Sequence, residues 1–411
     1  MNDILEVWLS GGHLGALERL RNGEMRLRFS DEAISRYGAG SKALSLSIPM
    51  TQRRVQGANL ETFIEGLLPE LGMRRILEHE HGINPYDSYG LLRAIGTECA
   101  GAVQFTPEGI APGSGFLREL SDDEVTVMVR DLPTLTPPDG LPVSASLGGV
   151  QAKILLSRTE QGWAWPAAGA MSTHIIKPEP ISDVVVPHLV ESEEWAMRLA
   201  RKAGLNVANA ELLDFDGRKA IVVQRYDRVG GRRSHQEDFT QALGIPSSNK
   251  YESKMTTPTR LFRIANEAGA EALDRNAFQE DLLRAITFNI VIGNGDAHSK
   301  NYSLMIDDQG LFQMAPLYDT APIYLLNSTL HHSGHAIDGQ VSLKYIERGH
   351  IERAAQSWGM RQERVNRVVA DTVDAIAGLA ASIEADAGIA SLPDLVSARA
   401  MRFVAGEKVP L

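Results

Sequence analysis

The sequence predicts an α+β protein, β-rich in its earlier segments and mostly helical towards its end. Two patterns carry that expectation. Short runs of alternating apolar and polar residues, separated by glycine turns, fill the start of the chain, and helical spacing takes over beyond Gln236. A third observation divides the molecule. Prolines at 133, 137, 138 and 142 crowd the stretch "LPTLTPPDGLP", which suits neither a helix interior nor a central strand. The 411 residues are long for one domain. Segments 1–131, 143–228 and 229–411 are therefore expected, with 132–142 as a linker between the first two.

The elements follow in order. "ILEVWLS", "HLGALERL" and "EMRLRFS", set apart by "GG" and "NG", read as antiparallel strands. "NLETFIEGLLPELGMRRILEHEHG" changes to helical spacing and stops on a glycine. Ser121 and Glu124 have the spacing of a capping box at the head of another helix. Beyond the prolines, "SLGGVQAKILLSR", "GWAWPAA" and "STHIIKPEP" are short β-prone runs, and 187–203 is helical. "ELLDFDGRKAIVVQRYDR" reads as a hairpin turning at Asp216 and Gly217. Further helices are expected over 276–292 and 361–387.

Composition narrows the function. Lysine plus arginine total 41 against 52 acids, a net charge of −11, which argues against a dedicated nucleic-acid binder. Cys99 is the only cysteine, so no internal disulfide framework exists and a reducing compartment fits. No basic segment precedes a long apolar core at the start, and no apolar run reaches membrane-spanning length. A cytoplasmic protein without membrane contact is expected.

The stretch "GNGDAHSKNYSLMIDDQGLFQMAPLYDT" holds the densest chemistry. Phe278, Leu282, Ile286 and Ile290 form one stripe of the helix before it, and Gly293 is a natural helix stop. "NGDAHSKN" is then a loop at the end of a buried helix. The following hairpin should return Asp319 to the neighbourhood of Asp296 and Asn301. Two carboxylates and an amide are oxygen donors of the kind Mg²⁺ takes. An aspartate and an asparagine five apart, with a further aspartate past a hairpin, is the layout of phosphoryl-transfer sites. Asn, Gly and Asp are also plain turn formers, and an isolated "GNGD" reads more readily that way. His298 and Lys300 in the same loop favour the chemical reading.

Upstream, "VSASLGGVQAKILL" is strand, small-residue loop, strand. Gly148 and Gly149 would let backbone N–H groups approach phosphate, although two glycines in a turn are commonplace. Lys177 ends an apolar strand, either reaching solvent or meeting an acid. Glu193 shares about 80° of a helical wheel with Leu189, Ala196, Ala200 and Ala203, whereas Glu191 and Glu194 point elsewhere. A carboxylate on an apolar face needs a partner, and Lys177 is the evident one unless Glu193 snorkels at the edge. "HHSGH" (His331, His332, His335) and "HEHG" are read as a loop and a polar helix end rather than zinc sites. "RVGGRR" is read as a solvated basic turn.

With these residues assembled, the chain resembles the HipA family of bacterial serine/threonine kinase toxins. "SLGGVQAK", "HIIKPEP", "ESEEWAMRLARKAGLNV", "QRYDR", "HQEDFTQALGIPSSNKYE", "GNGDAHSKNYS" and "PLYD" carry the likeness in order along nearly the whole length. The resemblance implies a two-lobed, protein-kinase-like α+β fold with an extra N-terminal subdomain. It implies that Asp296 is the catalytic aspartate, that Asn301 and Asp319 hold Mg²⁺, and that Lys177, paired with Glu193, contacts the phosphates of ATP. His298 or Lys300 would steady the γ-phosphate. Ser146, Leu147, Gly148 and Gly149 would form the loop over the phosphates, with Ser146 autophosphorylated. "QRYDR" would be the hinge to adenine, through backbone near Gln224 and Tyr226. Glutamine stands at 224 where the family more often has glutamate, which puts a carboxylate contact there in doubt. The resemblance further implies a small HipB-like helix-turn-helix antitoxin, operator DNA bound through that complex, and an aminoacyl-tRNA synthetase as substrate. A catalytically silent pseudokinase and a small-metabolite kinase are the competing readings, and the presence of Lys177, Asp296, Asn301 and Asp319 argues against the first.

Overall fold

A computed structural model describes residues 3–51, 53–132, 138, 141, 151–181, 185–252 and 256–406. Its contacts divide the chain into two compact units. The first comprises Met1–Pro178, Leu213–Ser247 and Met305–Leu311, and the second Glu179–Leu212, Ser248–Leu304 and Phe312–Leu411. The first is β-rich and the second mostly helical, as an α+β protein should be.

The first unit opens with β1 (Asp3–Leu9), β2 (Gly12–Arg19) and β3 (Met25–Phe29), followed by α1 (Asp31–Tyr37), β4 (Arg54–Gln56), α2 (Ala58–Leu67), α3 (Leu71–Glu80), α4 (Ser88–Ile95) and β5 (Val103–Pro107). These strands form an antiparallel sheet in the order β4-β3-β2-β1-β5. Leu5, Val7 and Leu9 alternate into the core while Glu6 and Trp8 face the wetter side. The single helix expected over 59–82 is two. Pro69 forces Leu68 out of helical conformation (φ −99°, ψ 152°), and α3 restarts beyond it.

A second sheet uses β6 (Phe116–Leu120), β7 (Ile154–Thr159), β8 (Gly162–Ala167), β9 (His174–Pro178), β10 (Ala210–Phe215) and β11 (Arg218–Gln224), ordered β10-β11-β9-β7-β8-β6. The turn between β10 and β11 falls at Asp216 and Gly217 as expected, both at positive φ (54° and 86°). Helix α5 (Asp122–Asp131) begins with the Ser121–Glu124 capping box. Leu5, Val7, Phe63 and Leu92 share one apolar core with Leu156, Trp165, Ile176 and Val222, and Leu141 packs on it from the proline-rich stretch.

Five charged side chains of this unit form one cluster, buried except for the half-buried Arg233. Glu98 (0% exposed) accepts from Arg225 at 2.9 Å, Arg228 at 3.2 Å and Arg233. Asp227 takes Arg225 at 2.8 Å, Arg228 at 3.0 Å and the Gly101 N–H at 2.7 Å. Burial would raise the Glu98 carboxyl, but the three guanidiniums outweigh it and hold it below the ordinary range. "RVGGRR" is therefore not simply a solvated turn. Its tip is exposed, while Arg228 and Arg233 at its ends reach back to Glu98.

In the chain, α6 (Leu189–Lys202) of the second unit precedes β10, and α7 (Phe239–Leu243) belongs to the first unit. The second unit continues with α8 (Arg260–Arg263), α9 (Arg275–Ile292), α10 (Ile323–Leu326), α11 (Arg348–Ser357), α12 (Gln362–Leu379) and α13 (Leu392–Ala405). Helix α9 is central, packed by α12 and α13, and its stripe of Phe278, Leu282, Ile286 and Ile290 is buried. Helix α12 stops at Leu379 instead of running to 387. A short 3₁₀ turn, Ala380–Ser382, redirects the chain, and Ile383 turns inward. The Ile383 and Glu384 carbonyls then accept from Trp195 Nε1 (3.3 Å) and Arg198 (3.0 Å) on α6. Glu191 and Glu194 lie on other faces of α6 than Glu193, and those faces are covered too. Both are buried along with Glu193; Arg198 pairs with Glu194 at 2.8 Å, and His188 with Glu191. Among the described residues, no helix is long and apolar enough to cross a membrane.

Candidate active site

Gly293 takes the left-handed conformation (φ 80°) that ends α9, and its N–H caps the last turn. The loop that follows is not broadly solvent-facing. Gly293 to Asn301 are buried except Asp296, whose side chain is 43% exposed. The surrounding structure thus presents one carboxylate.

Several groups hold the loop. The Lys250 carbonyl accepts from the Ser299 N–H at 3.1 Å, and Arg260 donates to that carbonyl at 2.9 Å and to Ser299 Oγ at 3.0 Å. His335, fully buried, meets Ser299 Oγ at 3.1 Å. Asn301 donates its Nδ2 to the Asp296 carbonyl at 2.8 Å, which orients the amide and turns Oδ1 away. Asp319, in the left-handed region at φ 52°, lies beyond the hairpin Ser303–Ile306 and Phe312–Met314. The strand end does return to the loop: Tyr318 Oη donates to the Lys300 carbonyl at 2.9 Å and lies 2.7 Å from Ser303 Oγ. An amide oxygen and a carboxylate are hard donors, so Asn301 and Asp319 fit Mg²⁺ chemically. Among the described residues, no group of three His, Cys, Asp or Glu is placed to hold a metal, and the "HHSGH" histidines serve as hydrogen-bond partners instead.

Sequence reasoning missed Tyr251. Its hydroxyl donates to Asp296 Oδ1, and its ring stands edge-on to His298 (5.0 Å) and His332 (5.5 Å). Burial first, then the charges of Asp296 and Asp319, raise the phenol pKa, so both carboxylates act on one hydroxyl. His298 lies 3.7 Å from Asp296, and burial, aided by Lys250, pushes it down to about 4. It is neutral at pH 7. "NKYE" offers no periodicity that would single out its tyrosine.

The other expected residues are spread over both units. Lys177 (8% exposed) is the penultimate residue of β9, opposite Ile221 of β11, and Gln224 ends β11 in the first unit. Tyr226 follows, its hydroxyl bonded to Gln236 Oε1 at 2.5 Å. Glu193 is on α6 of the second unit, 2% exposed. Ser146, Leu147, Gly148 and Gly149 lie outside the described residues.

Comparison with known proteins places this geometry in a family. The HipA N-terminal domain matches residues 5–106, and the HipA-like C-terminal domain matches residues 145–379. The chain belongs to the HipA family. A relative from Sinorhizobium fredii named as a kinase, Y4mE, is 33% identical over 402 residues, spanning 93% of this chain and 92% of its own. The Shewanella oneidensis serine/threonine-protein kinase toxin HipA is also 33% identical, over 318 residues, 72% of this chain and 70% of its own. A HipA structure solved with HipB and operator DNA, from the same organism, superposes with a TM-score of 0.82. That likeness has 26% identity and covers 98% of this chain and 97% of the other. The α+β architecture read from the sequence is accordingly the HipA fold.

Proposed function

We propose that this HipA-family protein is an ATP- and Mg²⁺-dependent serine/threonine protein kinase and the toxin of a toxin–antitoxin pair. One observation carries the reading: a single half-exposed carboxylate, Asp296, stands in an otherwise buried loop that also orients Asn301 and meets the strand leading to Asp319. In this role Asp296 accepts the proton of the acceptor hydroxyl. Asn301 and Asp319 hold Mg²⁺, which when bound neutralises charge on the phosphates. Lys177 contacts those phosphates with Glu193 as its acidic partner. Lys300 supplies positive charge at the γ-phosphate, while neutral His298 backs Tyr251. Backbone at Gln224 and Tyr226 receives adenine, and Ser146, Leu147, Gly148 and Gly149 cover the phosphates. The segments 1–131, 132–142, 143–228 and 229–411 are an N-terminal subdomain, a linker, an N-lobe and a C-lobe.

The partners follow from the family and from the HipA, HipB and operator DNA complex. A HipB-like antitoxin binds this chain in the cytoplasm. At a net charge of −11 the chain reaches operator DNA through that basic partner rather than alone. The substrate is an aminoacyl-tRNA synthetase, and Ser146 is autophosphorylated, placing about −1.5 to −2 charges against ATP and switching the enzyme off. Transfer of radiolabelled phosphate from ATP into serine or threonine of a proteome tests the activity, and no Mg²⁺-dependent labelling would overturn it. Mass spectrometry tests the switch. Phosphate on Ser146 is expected in active protein and not in Asp296→Asn protein made alone.

A further inference from the structure

Asn289 sits three residues before the end of α9, 3% exposed, in a run whose neighbours Phe288, Ile290 and Val291 are buried apolar side chains. A buried amide there is costly unless its hydrogen bonds are made. Each bond it makes leads towards the candidate active site. Asn289 Nδ2 donates to Tyr302 Oη at 2.8 Å. Its Oδ1 accepts from Asn294 Nδ2 at 2.8 Å and from Thr320 Oγ1 at 2.6 Å. Asn294 Oδ1 in turn accepts the Asp296 N–H at 3.0 Å. Tyr302 follows Asn301, Thr320 follows Asp319, and Asn294 anchors the backbone of Asp296. All four network side chains are at most 3% exposed.

We propose that Asn289 is a positioning residue for phosphoryl transfer, one amide that sets the separation of Asp296, Asn301 and Asp319 from beneath. This deepens the kinase reading and rests on it. The physical case is geometric. The two arms of the site are far apart in sequence and meet at one Oδ1, which is fixed by the rigid end of a buried helix. A helix end defines a position better than either loop does. The left-handed backbone of Asp319 is held from both sides, by Tyr318 on the loop and by Thr320 on Asn289. An apolar residue at 289 would keep the helix but free Thr320 and Asn294 to seek other partners. The carboxylate and the amide oxygen would then no longer share one frame.

The test compares full-length wild type with Asn289→Leu and Thr320→Val. Manganese binding in the presence of a non-hydrolysable ATP analogue is followed by electron paramagnetic resonance, and folding by thermal unfolding. Phosphate transfer is measured alongside. Folded Asn289→Leu should bind manganese about ten- to a hundredfold more weakly, as expected when a residue behind the metal ligands is removed. Its kcat should fall by about a hundredfold, the size of a 1 Å misplacement, with KM for the protein acceptor unchanged. Thr320→Val cuts one spoke and should show the metal defect more mildly; it also serves if Asn289→Leu does not fold. The double variant should be no worse than Asn289→Leu, because the spoke acts through the hub. Wild-type metal affinity and kcat in a folded Asn289→Leu, or in Thr320→Val should the other not fold, would overturn the proposal. Wild-type protein that binds no metal–nucleotide would overturn the kinase reading with it.

Discussion

Asp296 combines two properties at the scale of single residues: its neighbours in the loop are buried, yet its own side chain is half in water. Removing its charge should therefore cost little stability. Asp296→Asn is expected to abolish phosphate transfer with a melting temperature close to wild type, since the amide oxygen can still accept from Tyr251. A calorimetric scan beside the transfer assay decides this, and retained activity would remove Asp296 from its role. Asp319→Asn should instead weaken Mg²⁺-dependent ATP binding, measured by titration calorimetry with and without Mg²⁺. The pairing of Lys177 with Glu193 is open to a double-mutant cycle on ATP use. The double change should cost less than the two single costs together, and strict additivity would mean the two do not interact.

At the scale of elements, what could be read in advance were patterns with a short period. The α9 stripe, its Gly293 stop, the Ser121 cap and the Asp216–Gly217 turn each depend on residues a few positions apart, and each appears in the structure. Aspartate–asparagine spacing in the loop was legible for the same reason. Interactions between distant segments were not. The burial of Glu194 was not legible, because nothing in α6 announces that its neighbours Trp195 and Arg198 will bond to the chain at 383–384. Arg228 and Arg233 looked like an ordinary basic turn because Glu98 lies more than a hundred residues away. Asn289 did leave a trace, as an amide inside "AITFNIVI", but only contacts with Thr320 give it meaning. The arginine cluster yields its own prediction. Glu98→Ala leaves three guanidiniums facing a single buried acid and should cost about 3–5 kcal/mol. Exposed Arg232→Ala should stay within about 0.5 kcal/mol of wild type. Urea unfolding of both variants measures this, and equal effects would mean the cluster contributes nothing.

For the whole molecule, buried titrating groups set opposing pH limits on stability. Burial pushes His235 down to about 4 and His335 to about 3, from an ordinary 6.5. Their stabilising contribution is complete above pH 6.5 and is lost as pH falls towards those values, because the unfolded chain takes protons that the fold refuses. Glu237 runs the other way, pushed by burial from 4.5 up to about 8. Its contribution is complete below pH 4.5 and disappears as pH rises through 8. Glu237→Gln removes the second limit, so its melting temperature relative to wild type should climb between pH 5 and 8. A constant difference across that range would show that Glu237 ionises normally in the fold. The Glu98 cluster also bears on how the chain could be divided. A cut within the proline-rich stretch would leave Glu98 on one fragment, and Arg225, Asp227, Arg228 and Arg233 on the other. Neither fragment could neutralise its own interior, so each should be insoluble when expressed alone. Produced together they would have reason to assemble, since joining gives Glu98 its guanidiniums and gives the surplus guanidiniums a second acid. The cluster would then act as a chemical lock whose two halves are encoded on opposite sides of the cut.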